Sequence, residues 1–171
     1  MNAARKKKPA TIDVIERAAV WRRALPDAPE ICRTAAVAAL ARGAAGMAGA
    51  ELSIVLADDD LVAKLNRTYR GIAKPTNVLS FASAEPARRR APLRLLGDVV
   101  VAHGTIAREA RAQGKTLTDH LTHLVVHGVL HLLGFDHERT AEARRMEALE
   151  VAILARLGVA DPYRTREAAH G

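Results

Sequence analysis

The sequence predicts a single α/β (or α+β) domain, in which a small mixed sheet packs against a buried central helix and several other helices. Two observations support this prediction. Apolar segments with the composition of strands alternate with segments whose apolar residues recur at the helical period of 3.6. The chain of 171 residues is also long enough for one hydrophobic core and too short for two. Strands placed among helices, followed by a helical finish, are typical of this fold class.

Four segments are predicted to be strands of the sheet. The segment ELSIVLA at 51–57 is the clearest, because it is β-branched and apolar and contains neither glycine nor proline. The segment TIDVIE at 11–16 alternates weakly, whereas NVLSF at 77–81 and GDVVVA at 97–102 are short and apolar. A polar, proline-bounded loop over residues 83–95 is expected to join the last two.

The helices are predicted from their caps and from the glycines that end them. Asp27, Asp58 and Thr116 each precede an apolar pattern of helical period and offer an oxygen to the first turn. The helix that begins after Thr116 is apolar around most of its circumference, so it should lie at the centre of the domain. Two further helices, over residues 104–113 and about 140–157, are each followed by a glycine.

The charge of the chain favours a polyanionic partner. Lys and Arg outnumber Asp and Glu by 26 to 19, which gives a formal net charge of +7. Clusters of basic residues lie at 5–8 and at 88–90 with Arg94 nearby. Either cluster alone would be explained by a solvated tail or loop, but the overall excess makes nucleic acid a candidate partner. Aromatic residues make up only 3% of the chain, so few side chains are available to stack on bases.

The sequence predicts a basic tail over residues 1–10, one domain over 11–163 and a short tail over 164–171. The basic N-terminus is not followed by an apolar run, so no signal peptide is expected. Membrane association is not expected either, because no segment approaches the roughly 20 apolar residues of a membrane span. Cys32 is the only cysteine, which excludes an intrachain disulfide and a multi-cysteine zinc site and leaves a small buried side chain as its expected role. The sequence therefore predicts a soluble cytoplasmic protein.

The run HGVLHLLGFDH predicts a site for one zinc ion. His127 and His131 lie four residues apart on the predicted central helix, so they point to the same side, one turn apart. Gly134 can adopt a left-handed conformation and end the helix, which allows the chain to return His137 to the same ion. Three imidazoles suit Zn²⁺ and leave a fourth coordination position for water. The predicted metal ligands are His127, His131 and His137.

Neighbouring residues indicate what kind of metal site this is. Zinc proteases with the pattern H-E-x-x-H use the glutamate as a general base, and that position is Gly128 here. This argues against peptide hydrolysis, but not against a metal-bound hydroxide. His123, one turn upstream, is expected to support a ligand or to make a core hydrogen bond. No role in the metal site is expected for His103 or His120. Asp136 either orients a ligand or caps the turn.

These residues resemble the YbeY family of endoribonucleases. The resemblance rests on HGVLHLLGFDH and on a second motif, LNRTYRGIAKPTNVLSFA at 65–82. Shorter similarities lie in LGDVVVA at 96–102, MEALE at 146–150 and DPY at 161–163. The resemblance covers roughly residues 50–163, in order, and the preceding residues match only in general character.

The resemblance implies a small α/β sandwich with a mostly four-stranded sheet and a metal-dependent enzyme that cuts single-stranded RNA. It further implies a role in maturation of the 3′ end of 16S rRNA and in ribosome quality control, with the small ribosomal subunit as partner. The histidine triad of the family maps onto His127, His131 and His137, and its functional arginine maps onto Arg70. The expected catalytic residues are Arg70 and His127.

Arg70 also has an interpretation that does not depend on the family. Its planar guanidinium suits phosphate oxygens, and the equal alternative is a surface arginine at a helix C-terminus. The sequence departs from the family at Ile72 and Ala73, which stand where a Lys-Asp pair is common, and at Ala82, which replaces a common proline. The first departure removes a charged pair beside Arg70. Turn and strand-end hydrogen bonds are the favoured roles of three nearby polar residues: Thr76, Asn77 and Ser80.

Two alternative functions are also compatible with the sequence. One is a metzincin-like metallohydrolase that acts on a substrate other than RNA, against which Gly128 speaks. The other is a ribosome-assembly factor whose zinc is structural. A structural metal predicts that chelation unfolds the protein, whereas an open catalytic site predicts a folded, inactive apo-protein.

Overall fold

The computed structural model describes residues 9–43, 48–83, 94–136 and 138–164. Within these ranges there are four strands and six helices. The strands are β1 (Thr11–Glu16), β2 (Ala50–Ala57), β3 (Val78–Ala82) and β4 (Arg94–Ala102). The helices are α1 (Val20–Ala24), α2 (Ala28–Gly43), α3 (Asp59–Arg70), α4 (His103–Ala112), α5 (Leu117–Leu132) and α6 (Thr140–Arg156). This arrangement confirms the predicted fold class.

The four strands form one mixed sheet in the order β1-β2-β4-β3. The strands β1, β2 and β4 run parallel, and β3 pairs antiparallel with β4, with Val78 opposite Val101 and Ala82 opposite Gly97. Gly97 has φ +133°, and a Cβ at this position would lie 2.0 Å from the carbonyl oxygen of Phe81. Only glycine allows the two strands to approach so closely. In this strand order, β3 forms one edge of the sheet.

The two faces of the sheet are covered differently. On one face, α5 packs between the sheet and α2, with α6 alongside, and forms the main core. The fully buried side chains of α5 include Leu121, Val125, Val126, Val129 and Leu130. Each side chain of this size contributes roughly 1.5–3 kcal/mol when it is buried. On the other face, α3 covers a smaller cluster that includes Val62, Leu79 and Val100. The face beneath α3 is therefore the thinner side of the domain.

The helix ends confirm three expectations from the sequence. The carboxylate of Asp58 accepts a hydrogen bond from the amide of Leu61 at 2.9 Å, and the hydroxyl of Thr116 accepts one from the amide of Asp119 at 3.1 Å. Gly134 has φ +96° at the end of α5. Its amide donates to the carbonyl of His131, and the next amide donates to the carbonyl of Leu130, which is the pattern of a glycine-terminated helix.

Two elements differ from the sequence-based expectation. The short helix α1 was not expected, because five residues are too few to show a helical period. It is held by Trp21, which is fully buried and donates from Nε1 to the carbonyl of Ala57 at 2.8 Å. The strand β4 begins at Arg94, three residues before the expected start, because the glycine at its bulge resembles a strand boundary. The expected loop over 83–95 is therefore shorter at its C-terminal end.

The basic clusters at 5–8 and 88–90, and most of the two tails, lie outside the described residues. Within the described part of the chain, no helix is long and apolar enough to cross a membrane. Cys32 is buried in α2, as expected, and burial raises the pKa of its thiol to about 12.

Candidate active site

His127 and His131 point to the same place from adjacent turns of α5. Their Nε2 atoms lie 3.1 Å apart. Two imidazole nitrogens on one tetrahedral zinc ion, each bound at about 2.0–2.1 Å, would lie roughly 3.4 Å apart. The structure therefore brings two of the three predicted ligands together at a spacing that suits one ion. His137 lies outside the described residues, so its part in the site stays a prediction.

A buried carboxylate from α6 holds the first of these rings. Glu150 is fully buried and accepts hydrogen bonds from Nδ1 of His127 and from the hydroxyl of Tyr163. Burial alone would raise the pKa of Glu150, but hydrogen bonds from His123, His127 and Tyr163 outweigh it and lower the pKa to about 2. Ionised Glu150 can only accept, so the ring hydrogen of His127 lies on Nδ1 and its Nε2 carries a lone pair suited to a metal.

A second set of possible ligands overlaps the first. His123, His127 and Glu150 each offer a ligand atom, and these atoms lie within 4.8 Å of one another. To bind an ion there, Glu150 would exchange its hydrogen bonds from His127 and Tyr163 for metal coordination in the buried interior. Both sets line a cavity, but the pair His127 and His131 needs no such exchange. We therefore favour the pair on α5, with Glu150 as the residue that orients His127.

Gly128 is explained by the packing of α5 on the sheet. A Cβ at this position would lie 2.7 Å from Cγ1 of Val99 and 3.2 Å from Oγ of Ser80. The hydroxyl of Ser80 also donates to the carbonyl of Gly128 at 2.9 Å. The helix backbone thus lies directly against β3 and β4, and the space that a protease-type glutamate would need is filled by the sheet.

Arg70 reaches the same cavity from the opposite side of β3. It is the last residue of α3, and Gly71 ends the helix with φ +70°. Asn66, only 5% exposed, donates from Nδ2 to the carbonyl of Lys74 at 2.8 Å and so holds the following loop. The cavity has a volume of about 420 Å³. Its lining includes a cation, two imidazoles and several small polar side chains: Arg70, Thr76, Asn77, Ser80, His127 and His131.

The electrostatics of this cavity suit an anion. Arg70 is exposed, and among the described residues no carboxylate is paired with its guanidinium. Ile72 and Ala73, where the family often has a charged pair, are also exposed and offer no charge. The described lining contains no Asp or Glu. A phosphate group could therefore enter the cavity without charge repulsion and meet an available guanidinium.

The side chains of Asn77 and Ser80 bond the helices α4 and α5 rather than the turn or strand end favoured from the sequence. Asn77 donates from Nδ2 to the two carboxylate oxygens of Glu109, at 3.2 and 3.0 Å. Glu109 also lies 2.8 Å from Nε2 of His120. Burial lowers the pKa of His120, and the carboxylate of Glu109 offsets only part of this effect. The ring of His103 packs edge-on against Trp21. Asp136 accepts from the amide of Glu138 at 3.3 Å, which is a turn contact.

Comparison with known proteins decides the family. The model of the family described as endoribonuclease YbeY matches residues 27–158. This chain belongs to the endoribonuclease YbeY family. A relative of that description from Paramagnetospirillum magneticum is 56% identical over 149 residues, covering 84% of this chain and 89% of the relative. Another, from a Bradyrhizobium species, is 48% identical over 161 residues, covering 92% of this chain and 94% of the relative. Membership of the YbeY family confirms the resemblance seen in the sequence motifs and the expected endoribonuclease function.

A solved structure shares the fold. The solution structure of TM1509 from Thermotoga maritima matches with a TM-score of 0.52 and 20% sequence identity. The match covers 86% of this chain and 91% of that chain. The likeness supports the α/β fold.

Three residues of the candidate site lie in motifs that carry the resemblance but were given no role from the sequence: Asn66, Glu150 and Tyr163. Glu150 lies four residues after Met146 and three before Ile153, in the buried stripe of α6. A charged residue in an apolar stripe needs a partner, and this was the available signal. Asn66 and Tyr163 lie in two of the motifs that carry the resemblance, but those motifs do not show that Asn66 bonds the carbonyl of Lys74 or that Tyr163 bonds Glu150.

Proposed function

We propose that this YbeY family member is a zinc-dependent endoribonuclease that cleaves single-stranded RNA at the cavity described above. The observation that carries the proposal is the shared lining of one cavity by Arg70, His127 and His131. A paired set of imidazole nitrogens and an unpaired guanidinium are the groups that phosphodiester cleavage needs.

Each residue has a distinct part in the proposed chemistry. One Zn²⁺ ion would be held by His127, His131 and His137, and when bound it supplies a Lewis acid and lowers the pKa of water to about 7. Glu150 keeps the hydrogen of His127 on Nδ1 and fixes the orientation of the ring. Arg70 binds the phosphate oxygens through two N–H groups and stabilises the negative charge that develops in the transition state.

We further propose ribosomal RNA as the substrate, in maturation of the 3′ end of 16S rRNA and in ribosome quality control. The net charge of +7 supports a polyanionic substrate, and the scarcity of aromatic residues supports a partner that supplies part of the specificity. That partner is the small ribosomal subunit. The protein would then act in the cytoplasm, where this RNA is processed.

The proposal is tested by metal analysis and an RNA cleavage assay on the full chain, before and after chelation. His131→Ala should lose both zinc and cleavage. Arg70→Ala should keep zinc and lose about a hundredfold or more in cleavage rate, because a charge-stabilising group is removed. Arg67→Ala is the matched control, because Arg67 is exposed on the same helix and does not line the cavity. Undiminished cleavage by Arg70→Ala, or by the chelated protein, would overturn the proposal.

The same experiment separates the proposal from a structural metal. If chelation removes zinc and leaves the circular dichroism spectrum and the unfolding transition of a folded protein, the metal does not hold the fold together. If the protein unfolds on chelation, the zinc is structural, and the proposed part of the metal in cleavage is lost. The partial exposure of His127, with 24% of its side chain accessible, supports the first outcome.

A further inference from the structure

A second cavity lies on the other face of the sheet, beneath α3. It has a volume of about 650 Å³ and is lined mainly by apolar and aromatic side chains, together with Arg70 and Asp98. Three residues line both this cavity and the one that contains the histidines: Arg70, Ser80 and Ala82. Ser80 and Ala82 belong to β3, the edge strand. The two cavities are therefore joined around the edge of the sheet, and Arg70 lies at the junction.

The second cavity carries an exposed aromatic pair. Tyr69 is 67% exposed. The chain contains only five Phe, Trp and Tyr residues in total, so an exposed ring is a scarce feature here. Its ring centroid lies 5.1 Å from that of Phe81, with an angle of 59° between the ring planes. An exposed aromatic ring at the wall of a cavity offers a face on which a flat aromatic ligand can stack.

The charges in this cavity distinguish a base from a phosphate. Asp98 lies on β4 directly opposite Phe81 and is the only carboxylate among the described lining residues. A carboxylate repels a phosphate but accepts hydrogen bonds from the N–H groups of nucleobases. Arg70, at the junction, has the opposite preference. The cavity is thus suited to a base whose phosphate lies at Arg70, at the junction with the histidine cavity.

We propose that the cavity beneath α3 is a nucleobase subsite for single-stranded RNA. The RNA leaves the histidine cavity with a phosphate at Arg70 and passes around the edge strand β3. It then stacks a neighbouring base on Tyr69, where Asp98 accepts a hydrogen bond from that base. This proposal rests on the proposed function, because Arg70 is shared by the two cavities.

The other candidate occupant is an apolar segment of a protein partner. Two more apolar side chains are exposed in this region of the chain, Ile72 at 52% and Leu95 at 56%. Neither of them lines the cavity, whereas Arg70 and the aromatic pair do. The continuity with the histidine cavity and the guanidinium at the junction favour RNA.

The test measures binding of the full, zinc-loaded chain to a labelled single-stranded 2′-O-methyl RNA of about twelve nucleotides by fluorescence anisotropy. In a series of such RNAs, a single abasic site is moved along the strand. One abasic position should weaken binding by about tenfold, because one stacked base is removed. Tyr69→Ala should weaken binding of the intact RNA by a similar factor and should be insensitive to the abasic site at that position. Tyr69→Phe should bind as the unaltered protein does.

Ile72→Ala is the matched control, with an exposed apolar side chain that does not line the cavity. The subsite is overturned if Tyr69→Ala binds the intact RNA normally, or if the effects of Tyr69→Ala and of the abasic site multiply independently. A loss of RNA binding with Ile72→Ala equal to that with Tyr69→Ala would also overturn the subsite, because Ile72 does not line the cavity. Failure here differs from failure of the proposed function, since loss of cleavage in Arg70→Ala is measured separately.

Discussion

The carboxylate of Glu150 accepts the Nδ1 hydrogen of His127 from inside the protein core. The same imidazole directs its Nε2 toward Nε2 of His131, 3.1 Å away. One ring therefore connects a fully buried charge on α6 with the open cavity beside α5. The orientation of the candidate metal ligand depends on the packing of two helices whose residues are distant in the sequence.

Replacing Glu150 by Gln should weaken zinc binding by about ten- to a hundredfold. The amide has nearly the same shape, but it carries no charge and turns one acceptor into a donor facing His123 or Tyr163. Competition with a chromophoric chelator measures the affinity. Glu147→Gln, on an exposed position of the same helix, is the control and should bind zinc normally. Equal affinities in the two variants would show that Glu150 does not orient the ligand.

Replacing Gly134 by Ala should affect both stability and metal binding. Gly134 has φ +96°, which strains any residue with a Cβ, so the free energy of unfolding should fall by about 1 kcal/mol. Gly114, with φ +65° and equally open surroundings, ends α4 and provides a matched variant. We expect similar losses of stability from the two substitutions in urea unfolding. Only Gly134→Ala should reduce zinc affinity, because it alone alters the path toward His137.

Replacing Gly128 by Ala tests the contact between α5 and the sheet. The new methyl group would meet Cγ1 of Val99 at 2.7 Å, and such overpacking typically costs about 1–3 kcal/mol. Alanine also favours the helix by about 1 kcal/mol, so the expected net destabilisation is small to moderate. The cost should disappear when Val99→Ala is introduced as well, and unfolding of the single and double variants measures this coupling. Strictly additive effects would contradict a direct contact.

Replacing Asp59 by Asn should lower stability at neutral pH by about 1–2 kcal/mol. Asp59 accepts from the amide and hydroxyl of Thr105 at 2.9 Å each and pairs with Arg108 at 2.9 Å, joining α3 to α4. Burial raises the pKa of this carboxyl, but those hydrogen bonds outweigh it and lower the pKa below the ordinary 3.8.

Because the pKa of Asp59 is lower in the folded state, its contribution is present above the unfolded pKa and is lost as pH falls through the folded one. The difference between Asp59→Asn and the unaltered protein should therefore narrow below about pH 4. Urea unfolding at several pH values measures this difference. Asp60→Asn, exposed in the same helical turn, controls for the loss of a charge near the helix N-terminus. A difference that stays constant down to acid pH would exclude the proposed ion pair.

Strongly patterned elements could be predicted from the sequence alone. The strand β2 and the buried helix α5 were expected almost to their observed ends, because composition and period agree there. The pairing of His127 with His131 followed from helical geometry, since residues four apart share a face. The turn at Gly134 was expected because glycine can adopt the left-handed conformation that ends a helix.

Relationships between distant segments could not be predicted in this way. The contact of Glu150 with His127 joins residues that are 23 positions apart, and it depends on how α6 packs on α5. The sequence-based resemblance identified Arg70, but its place at the junction of two cavities depends on β3 lying at the edge of the sheet. The bulge in β4 was missed because a single glycine marks both a strand end and a bulge.

The position of β3 at the sheet edge has a mechanical consequence for the substrate. Neighbouring strands of a sheet are about 4.8 Å apart, so the path around an edge strand turns within a distance close to the width of a single polypeptide. A nucleic-acid double helix is stiff over a persistence length of roughly 50 nm and cannot follow so sharp a turn without large elastic cost. If RNA follows the path proposed above, unpaired RNA would be selected by its low bending rigidity, before any base is recognised.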